Sequence, residues 1–377
     1  MVATTLLALT FLQPADDFAQ AWDRTSKAIE SRYYARTTRA DELKKRLGDA
    51  APKARAAKTR DEFSQVVNEM IDGFGDSHFD FFTEEDQGYY AMDNLVGGKQ
   101  EIAQIGAWFR PGKDGYSVHM VMNGSPAEAA GLVKGDLIVS VDGNPLRPVM
   151  SFKDKPKVKL TWKRGSKTVE KEVDTRTTLA TDMFLTASKD SARIIEQGGK
   201  KIGYFRLWTM ANENFRDALA SAVYGKLKDT DAFILDLRDG FGGRPEGHLD
   251  PFFRPDVTLE WKYGPGPGMK QSFGYGKPLI VLINEGSRSA KEVAVYVLKK
   301  SKRATLVGRT TAGHVLGTSP MRLNEWAMLE IPMVEVMTDG TRLEGKGVSP
   351  DIEVAREYDE EGKDLFLAKA LELASKG

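Results

Sequence analysis

The chain has 377 residues, enough for two or three domains. Lys plus Arg equals Asp plus Glu, 54 against 54, so no broad electrostatic pull toward nucleic acid or an anionic membrane is expected. No cysteine is present, which excludes disulfides, cysteine nucleophiles and thiolate metal sites.

The chain opens on VATTLLALTFL, and Val2 to Leu12 is too short to span a bilayer. It reads as the apolar core of a signal peptide, with residues 1–17 as the candidate signal, although a basic start is missing. Export to a periplasm or the exterior is therefore expected, with a cytoplasmic protein and a frayed first helix as the other reading. No stable membrane span is expected.

Residues 18–95 form an expected N-terminal helical region. Phe18, Trp22 and Ile29 recur at helical spacing, and Phe63, Val67, Met70 and Ile71 repeat the pattern up to Gly73. Residues 96–176 change to short apolar runs between Gly, Pro and Asp turns, the pattern of a small β-rich module. From about residue 177 to 377 strands and helices alternate. FILDL and LIVLI are continuous apolar runs, which suit a parallel sheet covered on both faces. The expected class is α/β.

In the β-rich module, Ser125-Pro126-Ala127, Gly131-Leu132, Gly135-Asp136 and Asn144 follow Ile105-Gly106-Ala107-Trp108-Phe109. This order resembles a PDZ domain of the bacterial protease type. The resemblance implies that the Ile105–Phe109 loop offers backbone N–H groups to a peptide's terminal carboxylate, while the adjacent strand edge pairs with the peptide.

Nucleophilic serine catalysis requires a serine, a base, a group orienting the base, and N–H donors for the oxyanion. Ser289 follows the strand PLIVLINEG and opens the helix AKEVAVYVL, where helix-end amides face developing negative charge. On position alone, helix capping is the better explanation of Ser289, and of Ser287 before it. Three further strings bear on the choice. DLRDGFGG ends a buried strand in a Gly-rich turn at Gly242-Gly243, GRTTAG follows another strand, and LEGKGVSPD closes the domain.

In this order the strings resemble the C-terminal-processing, or tail-specific, serine protease family. The resemblance implies an N-terminal helical part, an inserted PDZ domain and a crotonase-like/Clp-protease-like core of ββα units. It implies Ser289 as nucleophile, and an oxyanion hole from the N–H groups of Gly242 or Gly243 and of Ala290. The family's usual lysine base is absent, because its place in the TAGHV string is taken by His314. The pattern is closer to the tricorn-protease branch. That branch implies His78 as base, with Ser77 and Glu344 as polarising or orienting groups. His314 is the alternative base.

Only four histidines exist (His78, His119, His248 and His314), and no HExxH-like spacing appears, so no metal and no cofactor is expected. The expected activity is a serine endopeptidase acting by acyl-enzyme chemistry on protein or peptide substrates captured by free C-termini. The alternative is a catalytically inactive peptide- or small-ligand-binding protein on the same scaffold. Oligomeric state is not legible.

Overall fold

The computed structural model describes residues 17–254, 257–262, 264–266 and 268–376, with backbone alone at 271 and 272. The candidate signal segment, apart from residue 17, lies outside the described residues. Among the described residues no helix is long and apolar enough to cross a membrane.

Three helices, Phe18–Arg32, Ala40–Arg55 and Arg60–Asp72, open the chain. Each turns one apolar stripe inward, and Trp22, Ile29, Leu43, Leu47, Phe63 and Val67 share one core. Thr59 caps the third helix by accepting from the Glu62 N–H, and Asp61 and Glu62 face its dipole. A three-stranded sheet closes this core. Its central strand Ala327–Val334 runs between Asp80–Thr83 and Gly317–Arg322. Period-two alternation splits its faces: Leu329 and Ile331 join the helical core, while Met328 joins the main core on the other side.

The β-rich module is a five-stranded antiparallel sheet from Ala107–Gly112 to Lys167–Asp174. In Lys157–Arg164 the alternate residues Val158, Leu160 and Trp162 are buried in the module's own core. Its entry strand Glu101–Gln104 and exit strand Arg176–Leu179 pair with each other, so both connections leave as one ribbon.

The main sheet has six strands in the order Ile352–Glu353, Thr305–Gly308, Leu279–Ile283, Ala232–Asp236, Lys200–Arg206 and Arg193–Gln197. All neighbours are parallel except the last pair. Phe233 and Leu235 point into the large core beneath helices Ala180–Ser191, Glu213–Tyr224 and Ala290–Lys300. Ala232 and Ile234 point the other way, onto Phe366, Ala370 and Ala374 of helix Leu365–Lys376. Both faces are covered, which is why these strands read as unbroken apolar runs. The α/β core with helical region and β-rich module is the class the sequence implied.

Candidate active site

Ligands of open parallel sheets bind outside the carboxyl ends of the strands. Three such ends converge here. Strand Ala232–Asp236 leads to the turn holding Gly242 and Gly243, Leu279–Ile283 leads to Ser289, and Thr305–Gly308 leads to His314.

Ser289 sits at the N-cap of helix Ala290–Lys300 with φ +59° and ψ −128°, a conformation rare for a residue with a side chain. The bend is held from several sides. The Ser289 N–H donates to the His314 carbonyl at 2.7 Å. The Glu292 carboxylate accepts from Thr311 Oγ1 and the Gly313 and His314 N–H groups at 2.6–2.7 Å, and from the Ser289 N–H at 3.3 Å. Ser287 is fully buried and ties the neighbouring loops: its hydroxyl donates to the Leu237 carbonyl and its own carbonyl accepts from the Ala312 N–H.

Gly242 packs directly on the serine. A Cβ added there would lie 2.7 Å from Ser289 Oγ and 2.9 Å from the Ala290 nitrogen. Its carbonyl turns away, accepting from the Met210 N–H at 2.8 Å and Thr209 Oγ1 at 2.9 Å. Across a trans peptide the next N–H points the opposite way, so the Gly243 N–H is directed away from Thr209 and Met210. Among the described residues no acceptor takes up the N–H of Gly243 or Ala290. The Ala290 N–H also belongs to the unpaired first turn of its helix, where the dipole favours an anion.

His78 is 8% exposed and has φ +55°. Burial pushes its pKa down to about 3, with Arg288 and His314 adding to the effect. Ser77 Oγ lies 2.9 Å from His78 Nδ1 and 3.0 Å from Glu344 Oε2. Glu344 also accepts from the N–H groups of Ser77, Val315 and Leu316. With three N–H groups already donating to it, Glu344 serves as the acceptor toward the Ser77 hydroxyl. The Ser77 hydroxyl must then donate to Glu344 and accept from Nδ1–H. This leaves Nε2 of His78 as the bare, basic nitrogen.

Ser289, His78, Gly242 and Gly243 line one cleft of about 1040 Å³. No hydrogen bond joins Ser289 Oγ to His78 among the described residues; such bonds are often loose before substrate arrives. His314 is exposed and does not line the cleft, although its ring centroid is 6.3 Å from that of His78. Although its surface is exposed, partial desolvation by the surrounding loops, and then Arg288, lower its pKa. His248 is buried in the cleft wall with neither ring nitrogen paired among the described residues. His119 lies in the β-rich module beside Arg110. No group of three His, Asp or Glu suited to a metal occurs among the described residues.

The expected carboxylate loop is occupied from within. The Gly106 N–H donates to the Gln104 side chain. The Gln87 side chain donates to the Ala107 carbonyl at 2.9 Å and accepts from the Phe109 N–H at 3.0 Å. Ile105 and Ala107 are fully buried, and Trp108 packs edge-on against Phe241 at 5.3 Å, next to the Gly-rich turn.

Sequence reasoning passed over Lys291. It is fully buried, its Nζ donates to the Asp239 carbonyl at 2.6 Å, and burial with Arg206 lowers its pKa to about 7. It props the turn that carries Gly242. A lysine in the first turn of a helix runs against the dipole, and that was the available signal.

Residues 201–354 match the model of Peptidase family S41, and residues 118–154 match the PDZ domain. A "Carboxyl-terminal-processing protease" of Picosynechococcus sp. is 26% identical over 371 residues, covering 93% of this chain and 85% of that one. The solved photosystem II D1 C-terminal processing protease aligns with TM-score 0.56 at 20% identity, over 90% of this chain and 93% of that one. The tricorn protease aligns with TM-score 0.57 at 19% identity, over 96% of this chain and 36% of that one.

Proposed function

We propose that this chain, a serine peptidase of family S41 with a PDZ domain, cleaves protein substrates with Ser289 as nucleophile and His78 as general base. The order of motifs implied that family, and the matches over 201–354 and 118–154 bear it out. His78 Nε2 takes the proton as Ser289 Oγ attacks the scissile carbonyl. The N–H groups of Gly243 and Ala290, at the edge of Gly242, receive the oxyanion. Nε2 then returns the proton to the leaving amine, and water hydrolyses the acyl-enzyme by the same route in reverse. The observation that supports the assignment is the Glu344–Ser77–His78 chain, which suits the tautomer a base needs.

The finer reading is that substrates are captured by free C-termini on the β-rich module, taken as residues 96–176, while the protease core 177–377 carries Ser289 and Glu344 and the region 18–95 supplies Ser77 and His78. Export is part of the same reading, supported by the apolar stretch Val2–Leu12.

The test is cleavage of an unfolded protein by the wild type and three variants. Ser289→Ala abolishes turnover. His78→Ala lowers kcat by roughly 10²–10⁴-fold, the usual contribution of a general base. His314→Ala stays within a few-fold of wild type. Loss of activity in His314→Ala alone would transfer the base to His314, and a chain that never cleaves but binds peptides would be the inactive carrier.

A further inference from the structure

Inside the cleft, Glu330 stands out. It is 5% exposed yet lines the same cavity as Ser289 and His78. It occupies the central strand of the three-stranded sheet, directly opposite Asp80 on one side and Pro320 on the other. Opposed residues of an antiparallel pair project to the same face, so two carboxylates meet here, an arrangement that costs stability. Neither forms an ion pair among the described residues. Arg288, the cation whose charge acts on both, lies over the Phe241 ring at 4.8 Å. Burial first, and then the Asp80 charge, push the Glu330 pKa up to about 7, against Arg288 and Thr318.

The surroundings of this carboxylate have a definite shape. Met92, Leu95 and Val96 form an apolar wall of the cleft. Strand Gly317–Arg322 is at the sheet edge, and Gly317–Pro320 also line the cavity, so an extended peptide can lie along them as an added strand. A side chain reaching from that peptide past the apolar wall to Glu330 needs a long aliphatic stem and a cationic tip. Lysine and arginine have this build.

We propose that Glu330, backed by Asp80, is a specificity-determining residue that seats a lysine or arginine of the substrate next to the cleaved bond. The proposal rests on the peptidase reading for its meaning, but its test does not depend on turnover. Two peptide sets differing only in arginine or norleucine at each position around a cleavage site are titrated by fluorescence anisotropy. The proteins are Ser289→Ala and Ser289→Ala/Glu330→Gln, both checked for an unchanged melting temperature. At one position arginine binds Ser289→Ala roughly tenfold or more tighter than norleucine, and Glu330→Gln removes that preference, as expected when one partner of a desolvated charge pair is neutralised. Should Glu330→Gln destabilise the fold, Asp80→Asn replaces it and reduces the same preference by a smaller factor. Equal affinity for arginine and norleucine in Ser289→Ala at every position, or a preference untouched by both substitutions, overturns the proposal. Mapping of cut sites by the wild type separates the two readings. Cuts away from basic residues defeat this one alone, while Glu330-dependent binding without any cleavage defeats the peptidase assignment alone.

Discussion

On the proposed mechanism, a single proton on Ser77 decides whether His78 acts as the base. Glu344 accepts from the Ser77, Val315 and Leu316 N–H groups, so as a carboxylate it pulls the Ser77 hydroxyl proton toward itself. Glu344→Gln would place an amide there that can donate to Ser77 instead. The hydroxyl then donates to Nδ1, the ring proton moves to Nε2, and the base is lost. The expected result is a kcat lower by on the order of 10²-fold or more with KM little changed, and a His78 tautomer switch visible by nitrogen NMR. The same histidine makes a second, independent prediction through linkage. An unfolded histidine protonates near pH 6.5, whereas folded His78 resists to about 3. Its contribution is present above pH 6.5 and is lost as pH falls toward 3. Glu330, raised to about 7, works the opposite way and loses stability as pH rises from about 4.3 through 7. Subtracting the melting temperature of His78→Gln from that of wild type at each pH isolates the histidine. The difference falls steadily from pH 7 to pH 4, and a constant difference would mean that His78 titrates normally.

Helix Gln87–Leu95 joins two sites that the sequence presents as separate. At its first residue, Gln87 bonds the Ala107 carbonyl and the Phe109 N–H on the edge strand of the β-rich module, in the manner of a neighbouring peptide strand. One turn and more further on, Met92 and Leu95 line the catalytic cleft. A peptide adding to that edge must displace Gln87. Gln87→Ala is therefore expected to raise the affinity of the chain for an apolar C-terminal peptide by several-fold, measured by calorimetry on the Ser289→Ala background. Unchanged affinity would mean that peptides do not use this edge. The element explains what was and was not legible. Phe18, Trp22 and Phe63 and the runs FILDL and LIVLI follow local periodicity, and the glycine turns carry their own signal, so helices, buried strands and the turn at Ser289 could be read directly. Gln87 carries no local signal, because it bonds residues twenty positions and more away. The sheet formed by Asp80–Thr83, Ala327–Val334 and Gly317–Arg322 was equally hidden. Asp80–Thr83 lies far upstream of the hairpin Gly317–Arg322/Ala327–Val334 that it joins, and the opposition of Asp80 to Glu330 exists only once they pair.

At the scale of the whole molecule, the β-rich module is fastened to the α/β core by charge. Lys134 leaves the module and reaches Asp239 at 2.7 Å and Glu357 at 3.0 Å, inside the core. Asp239 is 1% exposed, bonds Asn284 and Arg206, and precedes the turn carrying Gly242 by three residues. Burial alone would depress the Lys134 pKa, but Asp239 and Glu357 more than offset it and the value ends raised. For Asp239, burial pushes up, while Lys134 and Arg206 hold it down at about 2. Removing one member of such a set leaves the rest buried without compensation, which costs more than the pair itself contributes. Lys134 is a quarter exposed, so solvent screens part of the effect. Lys134→Met is thus expected to lower stability by about 1–3 kcal/mol, below the range for fully buried pairs, read from denaturant unfolding. If the fastening also holds the Gly-rich turn, kcat falls in the same variant while Lys134→Arg, which keeps the cation, restores most of both. A Lys134→Met protein that loses stability but keeps its kcat would confine this ion pair to holding the two parts together, and would leave the contact of Trp108 with Phe241 and the hydrogen bond of Trp208 to Asn123 as routes by which the module reaches the Gly242–Gly243 turn.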